Sequence, residues 1–431
     1  MNHAGVGFGS RIVPGGAVLC VFLLALVSSL TTMTMAAEGP ARIVAVGDIH
    51  GAFDELVFIL RETKLIDANH RWWGGNATLV VTGDFLDRGS KGREVLDLLM
   101  ALEEEAPKDG GRVIVLLGNH EVMNLVGDLR YMTSEAYAEF AGRDAEERRQ
   151  AAYKAYTELG SSEGQTLKSN TPKSRPKKEK AWMKAHPPGF LEHRKALGPE
   201  GKYGRWLRGL PAVVQVGDVI FVHGGIHPAL STWSLDRINK RVWDEIEVLD
   251  EYRRQLVERK LILPFFTLGE VVTVAEREIK AHKAAAKKGK TDRTSSSPPL
   301  ELTPQEIRHR KALERLLHLE TWLIFEQNGP LWFRGYALWP EREATREIVK
   351  LLESFSVAHF VVGHTALLRD GRIHTRLGGK VFLIDTGMLR SFFKYGRPSA
   401  LEIRNGRFTA IYLDRQKVLL DRSPANLPSR E

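Results

Sequence analysis

The chain has 431 residues, 43% hydrophobic and 27% charged, with a formal net charge of +9. This is ordinary globular composition, enough for one large domain or two whose core needs no cross-links. The single cysteine, Cys20, lies in an N-terminal apolar run. Its loss with that run would exclude thiol catalysis, disulfides and Cys-type zinc sites from the mature protein.

That run, Ala17 to Leu30, follows Arg11 and counts 14 residues. It is too short to span a bilayer comfortably but has the length of a signal-peptide core. Small residues Ala36 and Ala37 suit cleavage before Glu38. The expectation is a signal peptide over 1–37 and a mature domain over 38–431. The product would be exported, periplasmic or secreted, with no stable membrane anchor after cleavage. The alternative is an uncleaved N-terminal anchor.

Six short apolar runs then end in polar loops: "RIVAV" in "GDIHG", "ATLVVT" in "GDFLDRG", "RVIVLL" in "GNHE", "DVIFV" in "HGGIHP", "AHFVV" in "GHT" and "KVFLI" in "DTGM". Each reads as a buried strand of the continuous apolar type. Helical patterns such as "DELVFILRETKL" and "REVLDLLMAL" follow the first three. Strand, polar loop and helix in alternation predict βαβ units and a largely parallel sheet, whose loops gather at one edge. A helical, charged insertion over about 128–205 carries a polar stretch, 161–180, predicted to be a flexible loop. A second basic stretch, about 280–304, is read the same way. Strand-end motifs occur on both sides of each, so both are surface insertions in one domain. No GxGxxG opening, P-loop lysine motif or HExxH is present, which removes nucleotide-cofactor, NTPase and zincin readings.

Asp48, His50, Asp84, Asn119, His223 and His364 stand at these strand ends. Carboxylate, imidazole and amide oxygen are the donors that hard di- or trivalent metals take. Asp48 and His50 flank one residue and can reach one ion, while Asp84 can bridge two. A metal pair activates a bridging water and clamps the oxygens of an in-line displacement. One Gly-Asp or Gly-His turn is commonly a tight turn or a helix cap. Six in order are not.

The series GDIHG, GDFLDRG, GNHE, HGG and GH resembles the calcineurin-like metallophosphoesterases. Full GDxxDRG with GNHE resembles the phosphoprotein-phosphatase branch, and "LWFRGY" and "IDTGM" resemble its bacterial, Shewanella-like protein phosphatases. The resemblance covers most of residues 42–390. It implies an α/β four-layer sandwich, two mixed β-sheets flanked by helices, with helical and flexible insertions. It also implies two metal ions, manganese first, with iron or zinc as alternatives. Asp48, His50 and Asp84 would hold the first, and Asp84, Asn119, His223 and His364 the second. His120 would be the general acid, oriented by Asp87, and Arg88 would fork onto phosphate oxygens. Arg334, between the HGG and GH motifs, would add a second phosphate contact; the alternative is an arginine stacked on Trp332, Phe333 and Tyr336. Position 366 is Ala, where many relatives outside this branch have a second histidine.

Other candidates read as structural. His227 is a loop histidine, and His359 and His374 belong to strand patterns. Asp385 is expected to orient a ligand histidine. The basic runs lack the aromatic interleaving of nucleic-acid grooves, so no nucleic-acid partner is expected. The function read from the sequence is hydrolysis of phosphate monoesters, on phosphorylated proteins, by a metal-bridging hydroxide. The alternatives are a dinucleoside polyphosphate or small phosphate-ester hydrolase, and a metal-binding protein without turnover.

Overall fold

Period-two alternation inside each apolar run decides the layering. In a strand, successive side chains face opposite sides. Val44, Val46, Leu79, Val81, Val113 and Val115 enter one apolar cluster, while Ile43, Ala45, Val80 and Ile114 enter another. The computed structural model describes residues 42–162, 175–291, 303–367 and 370–423. The signal-peptide expectation for 1–37 lies outside the described residues. In chain order the first strands are β1 (Ile43–Val46), β2 (Thr78–Val81) and β3 (Arg112–Val115). Next come β4 (Val213–Val216), β5 (Val219–Val222), β6 (His359–Val362), β7 (His374–Arg376) and β8 (Val381–Leu383). β9 (Ser399–Arg404), β10 (Arg407–Tyr412) and β11 (Gln416–Asp421) close the described chain.

They form two mixed sheets, ordered β11-β10-β9-β1-β2-β3 and β4-β5-β6-β8-β7. The six predicted strands are the parallel ones, three in each sheet: β1, β2 and β3 in the first, β5, β6 and β8 in the second. Antiparallel strands supply the rest. Val80, Ile114, Phe221, Val361 and Phe382 fill the layer between the sheets, and the outward residues meet the helices. α1 (Phe53–Glu62) and α2 (Gly92–Glu105) occupy the segments where helical periodicity placed them.

The third helix, α3 (Asn119–Val126), carries part of the site and is buried throughout. Its last carbonyls are capped from outside the helix. Arg194 donates to Asn124 O at 2.7 Å and Arg253 to Val126 O at 3.3 Å, and cations at a helix C-terminus also complement its dipole. Arg194 comes from the insertion, which consists mainly of the helices Ala145–Ser162, Arg175–Ala185, Phe190–Ala196 and Lys202–Gly209. Parts of the two stretches read as flexible are helical: 175–180 open the helix Arg175–Ala185, and 280–291 end the helix Leu268–Thr291. Residues 163–174 and 292–302 lie outside the described residues.

Candidate active site

Each proposed ligand stands in the loop or helix start just after a parallel strand, so two sheets deliver the six ligands on five polar loops, and a sixth, after β8, brings Asp385 beside Asp48. The loops turn sharply. His50, Asp84, Asp87, Arg88 and His364 all have φ between 51° and 64°, a region that non-glycine residues rarely occupy and that concentrates at functional sites. Glycines let the loops touch. A Cβ at Gly118 would overlap Asp84 Oδ1, and one at Gly363 would overlap Asp48 Oδ1.

His223 and His364 meet head-on. His223 Nδ1 donates to Thr82 O at 2.9 Å, which leaves Nε2 facing Asn119 Oδ1 (3.0 Å), Asp84 Oδ2 (3.2 Å) and His364 Nδ1 (3.2 Å). His364 uses its other nitrogen outward, Nε2 donating to Trp332 O at 3.1 Å. His50 Nδ1 lies 3.2 Å from Leu86 O, and its Nε2 lies 3.8 Å from Asp84 Oδ2. Anchoring one ring nitrogen on an oxygen turns the other lone pair inward, as in metal-binding histidines.

Asp48 accepts the His364 backbone N–H at 3.0 Å. Burial, with Asp385 and Asp84 nearby, pushes its carboxyl well above the usual range. Asp385 is buried beside it and accepts from Gly387 N at 2.9 Å. Asp385 thus sits against a carboxylate, and no hydrogen bond joins it to a histidine among the described residues, so the expected orienting role is not what the geometry provides. Burial opposes ionisation of Asp84 too, but the imidazoles of His223, His120 and His50 hold it well below the usual value. Ligand atoms of His50, Asp84 and His120, and of Asp84, His223 and His364, lie within 4.8 Å of one another in each group. Buried carboxylates that repel one another, with imidazole lone pairs turned inward, fit divalent metal ions.

His120 is differently placed. Its Nδ1 donates to both oxygens of Asp87, at 2.7 and 2.8 Å, and Asn124 Nδ2 holds Asp87 Oδ2 at 3.1 Å. Burial would lower its pKa, but Asp84 and Asp87 outweigh that and raise it. Arg88 spans the imidazoles, one terminal nitrogen 2.9 Å from His50 Nε2 and the other 3.1 Å from His120 Nε2. Its guanidinium lies over the rings of Tyr131 (5.3 Å), Phe392 (5.0 Å) and Phe393 (5.7 Å). Arg334 is exposed and donates to His364 O (2.9 Å) and Thr365 Oγ1 (3.2 Å). It therefore reaches the site's edge, away from the stacked alternative. His227 caps a turn at Ala229, His359 bonds Gly379 O, and His374 pairs with Asp370, all outside the cluster.

The sequence reading passed over Glu121. Fully buried, it accepts from the backbone N–H of Gly118, Asp84, Phe85 and Leu86 at 2.7–3.0 Å, tying two ligand loops together. Its spacing, third in a helix after Gly118, was the available signal. Asn124, Tyr131 and Phe392 left no such signal.

Two mixed sheets meeting at a buried, metal-competent Asp/His/Asn cluster with an adjacent His–Asp pair define a metal-dependent phosphoesterase. The calcineurin-like phosphoesterase profile matches residues 41–263, and the chain belongs to that family. It is similar to Shewanella-like protein phosphatase 2 of Arabidopsis thaliana, 34% identical over 48% of this chain and 51% of that one. Shewanella-like protein phosphatase 1 of Plasmodium berghei is 25% identical over 86% of this chain and 74% of that one. The chain thus spans about half the length of the first relative. The crystal structure of a cold-active protein-tyrosine phosphatase of a psychrophilic Shewanella species has the same fold, at a TM-score of 0.52. The two chains are 24% identical over 88% of this one and 81% of that one.

Proposed function

We propose that this chain is a metal-dependent phosphomonoesterase acting on phosphorylated proteins. The observation that carries the reading is the His120–Asp87 pair. Both oxygens of Asp87 take Nδ1, so Nε2 is the nitrogen left to face a reacting phosphate beside Arg88. Asp48, His50 and Asp84 would hold one metal ion, and Asp84, Asn119, His223 and His364 a second, with manganese proposed ahead of iron or zinc. Ions bound there supply a nucleophile at neutral pH and neutralise phosphate oxygens. The chain's own groups complete the chemistry. Arg88 turns its two terminal nitrogens from the imidazoles to two non-bridging oxygens, a fork that lysine cannot make. His120, kept protonated by Asp87, gives its Nε2 proton to the leaving oxygen. Arg334 covers a further equatorial oxygen. Two relatives named protein phosphatases support a polypeptide substrate.

A panel of phosphopeptides, nucleotides, dinucleoside polyphosphates and p-nitrophenyl phosphate, with manganese added, tests this. Phosphopeptides should turn over. His120→Asn should lower kcat on them by about 10²–10⁴-fold, and by less on p-nitrophenyl phosphate, whose leaving group needs no proton. Its metal content should not change. Turnover confined to dinucleoside polyphosphates would move the substrate class, and an equal loss on both ester types would make His120 structural.

A further inference from the structure

One loop, Leu389 to Arg397, has the site on one side and a basic hollow on the other. Leu389 and Ser391 line a hollow of about 290 Å³ with Arg88, and the exposed Phe392 ring lies 5.0 Å from the Arg88 guanidinium. Arg390, Lys394, Tyr395 and Arg397 line a second hollow of about 520 Å³, to which Arg372 and Tyr412 also contribute. Four cations there face two carboxylates, Asp370 and Asp414. Asp370 is already engaged by His374 at 2.9 Å and Arg372 at 3.7 Å. Among the described residues, Arg390, Lys394 and Arg397 form no ion pair, and Arg397 Nε is buried without a partner. Unpaired positive charge beside a phosphate-binding arginine is complementary to an anionic chain.

We infer that this hollow is a docking subsite for acidic side chains that flank the phosphorylated residue of a polypeptide substrate. The inference rests on the phosphoprotein reading above. From Phe392 to Arg397 the loop advances five residues, at most about 18 Å even if fully extended. An extended substrate therefore reaches the hollow within about five positions of its phosphate. The aromatic rings favour a peptide over a nucleic acid. Lys394 lies over Tyr395 at 5.2 Å, and Arg397 over Tyr412 at 5.7 Å. Those faces are taken, whereas base stacking needs free ones.

The test uses two fluorescein-labelled phosphotyrosine peptides, identical except for four glutamates or four glutamines around the phosphotyrosine. Binding is read by anisotropy and turnover by kcat/KM, for the wild type and for Arg390→Ala/Lys394→Ala, with p-nitrophenyl phosphate as control. The wild type should favour the glutamate peptide about three- to tenfold, the range for two exposed charge contacts. The preference should lie in KM and shrink in 0.5 M salt, about three times the physiological ionic strength. It should vanish in the double variant while p-nitrophenyl phosphate turnover is unchanged. No preference in the wild type, or a preference that survives the substitutions, overturns the inference and leaves the phosphatase reading standing. Glutamate-dependent binding that needs Arg390 and Lys394, with no turnover of these peptides, of their phosphoserine and phosphothreonine counterparts or of p-nitrophenyl phosphate, upholds the subsite and sinks the phosphatase reading. Binding to phosphatidylserine vesicles without peptide preference would reassign the patch to a lipid surface and overturn it as well.

Discussion

Two buried polar clusters in this molecule use the same residue types in opposite ways. At the strand ends each imidazole has its outer nitrogen near an oxygen: His50 near Leu86 O, His120 on Asp87, His223 on Thr82 O and His364 on Trp332 O. In the helical insertion, His186 Nε2, His193 Nδ1 and Trp182 Nε1 are buried with no partner among the described residues. There His186 also has a ring nitrogen on an oxygen, Nδ1 2.9 Å from Trp182 O, but both imidazoles are packed as rings. His186 stacks on Trp182 at 4.0 Å, and His193 meets Tyr137 and Phe140 edge-on. Burial, with Arg194 nearby, pushes His193 down to about 3, so it is a neutral aromatic at any ordinary pH. The comparison shows what separates a candidate ligand from packing: an oxygen on one nitrogen is common to His186 and His223, but the second nitrogen of His223 faces Asn119, Asp84 and His364 while that of His186 meets no partner among the described residues. The active cluster is not wholly satisfied, since Arg88 Nε and Asn124 Oδ1 are also left over.

The sharpest way to break the contrast is at Asp84, whose carboxylate lies 3.2 Å from His223 and 3.8 Å from His50. Asp84→Asn should empty both proposed metal positions and lower turnover more than about 100-fold, read by elemental analysis beside kinetics. A fully metallated, active variant would end the idea of a shared carboxylate. Next in size is Glu121→Gln. Its amide nitrogen would confront two backbone N–H donors, costing roughly 2–6 kcal/mol at about 1–3 per unsatisfied buried group. Denaturant unfolding at pH 8 measures this, above the value of about 7 to which burial and Asp84 push its carboxyl. Unchanged stability would show that the two loops hold without it.

The smallest effect belongs to the insertion. The His193 pKa is lower folded than unfolded, so its contribution is fully present above about 6.5 and declines as pH falls, at about 1.4 kcal/mol per unit. His193→Phe should remove about 2–3 kcal/mol of that decline between pH 6.5 and 4.5, seen as a flatter stability–pH curve. An identical slope in the variant would mean that His193 is not neutral when folded.

Six parallel strands and their ligand loops were legible because each apolar run is buried on both faces and ends abruptly in Asp, His, Asn or Gly. β7 was marked only by placing His374 in or beside a strand pattern, and β11 was not legible. His374–Arg376 is polar and only half-buried, and the first half of Gln416–Asp421 is exposed, so neither displays the alternation that marks a strand.

The sequence by itself offered the strand-end donors and their order, since each follows its apolar run within a few residues; the roles of His120, Asp87 and Arg88 came from the resemblance of the motifs to a known family. Tertiary structure alone decided that the runs divide three and three between two sheets. Strand pairing over hundreds of residues leaves no local trace. It alone set Asp385 against Asp48, 337 positions away in the chain, placed Glu121 under two loops, and brought Tyr131 and Phe392 to Arg88. Those contacts join segments whose separate sequences are ordinary, and only the approach of one loop to another gives them meaning.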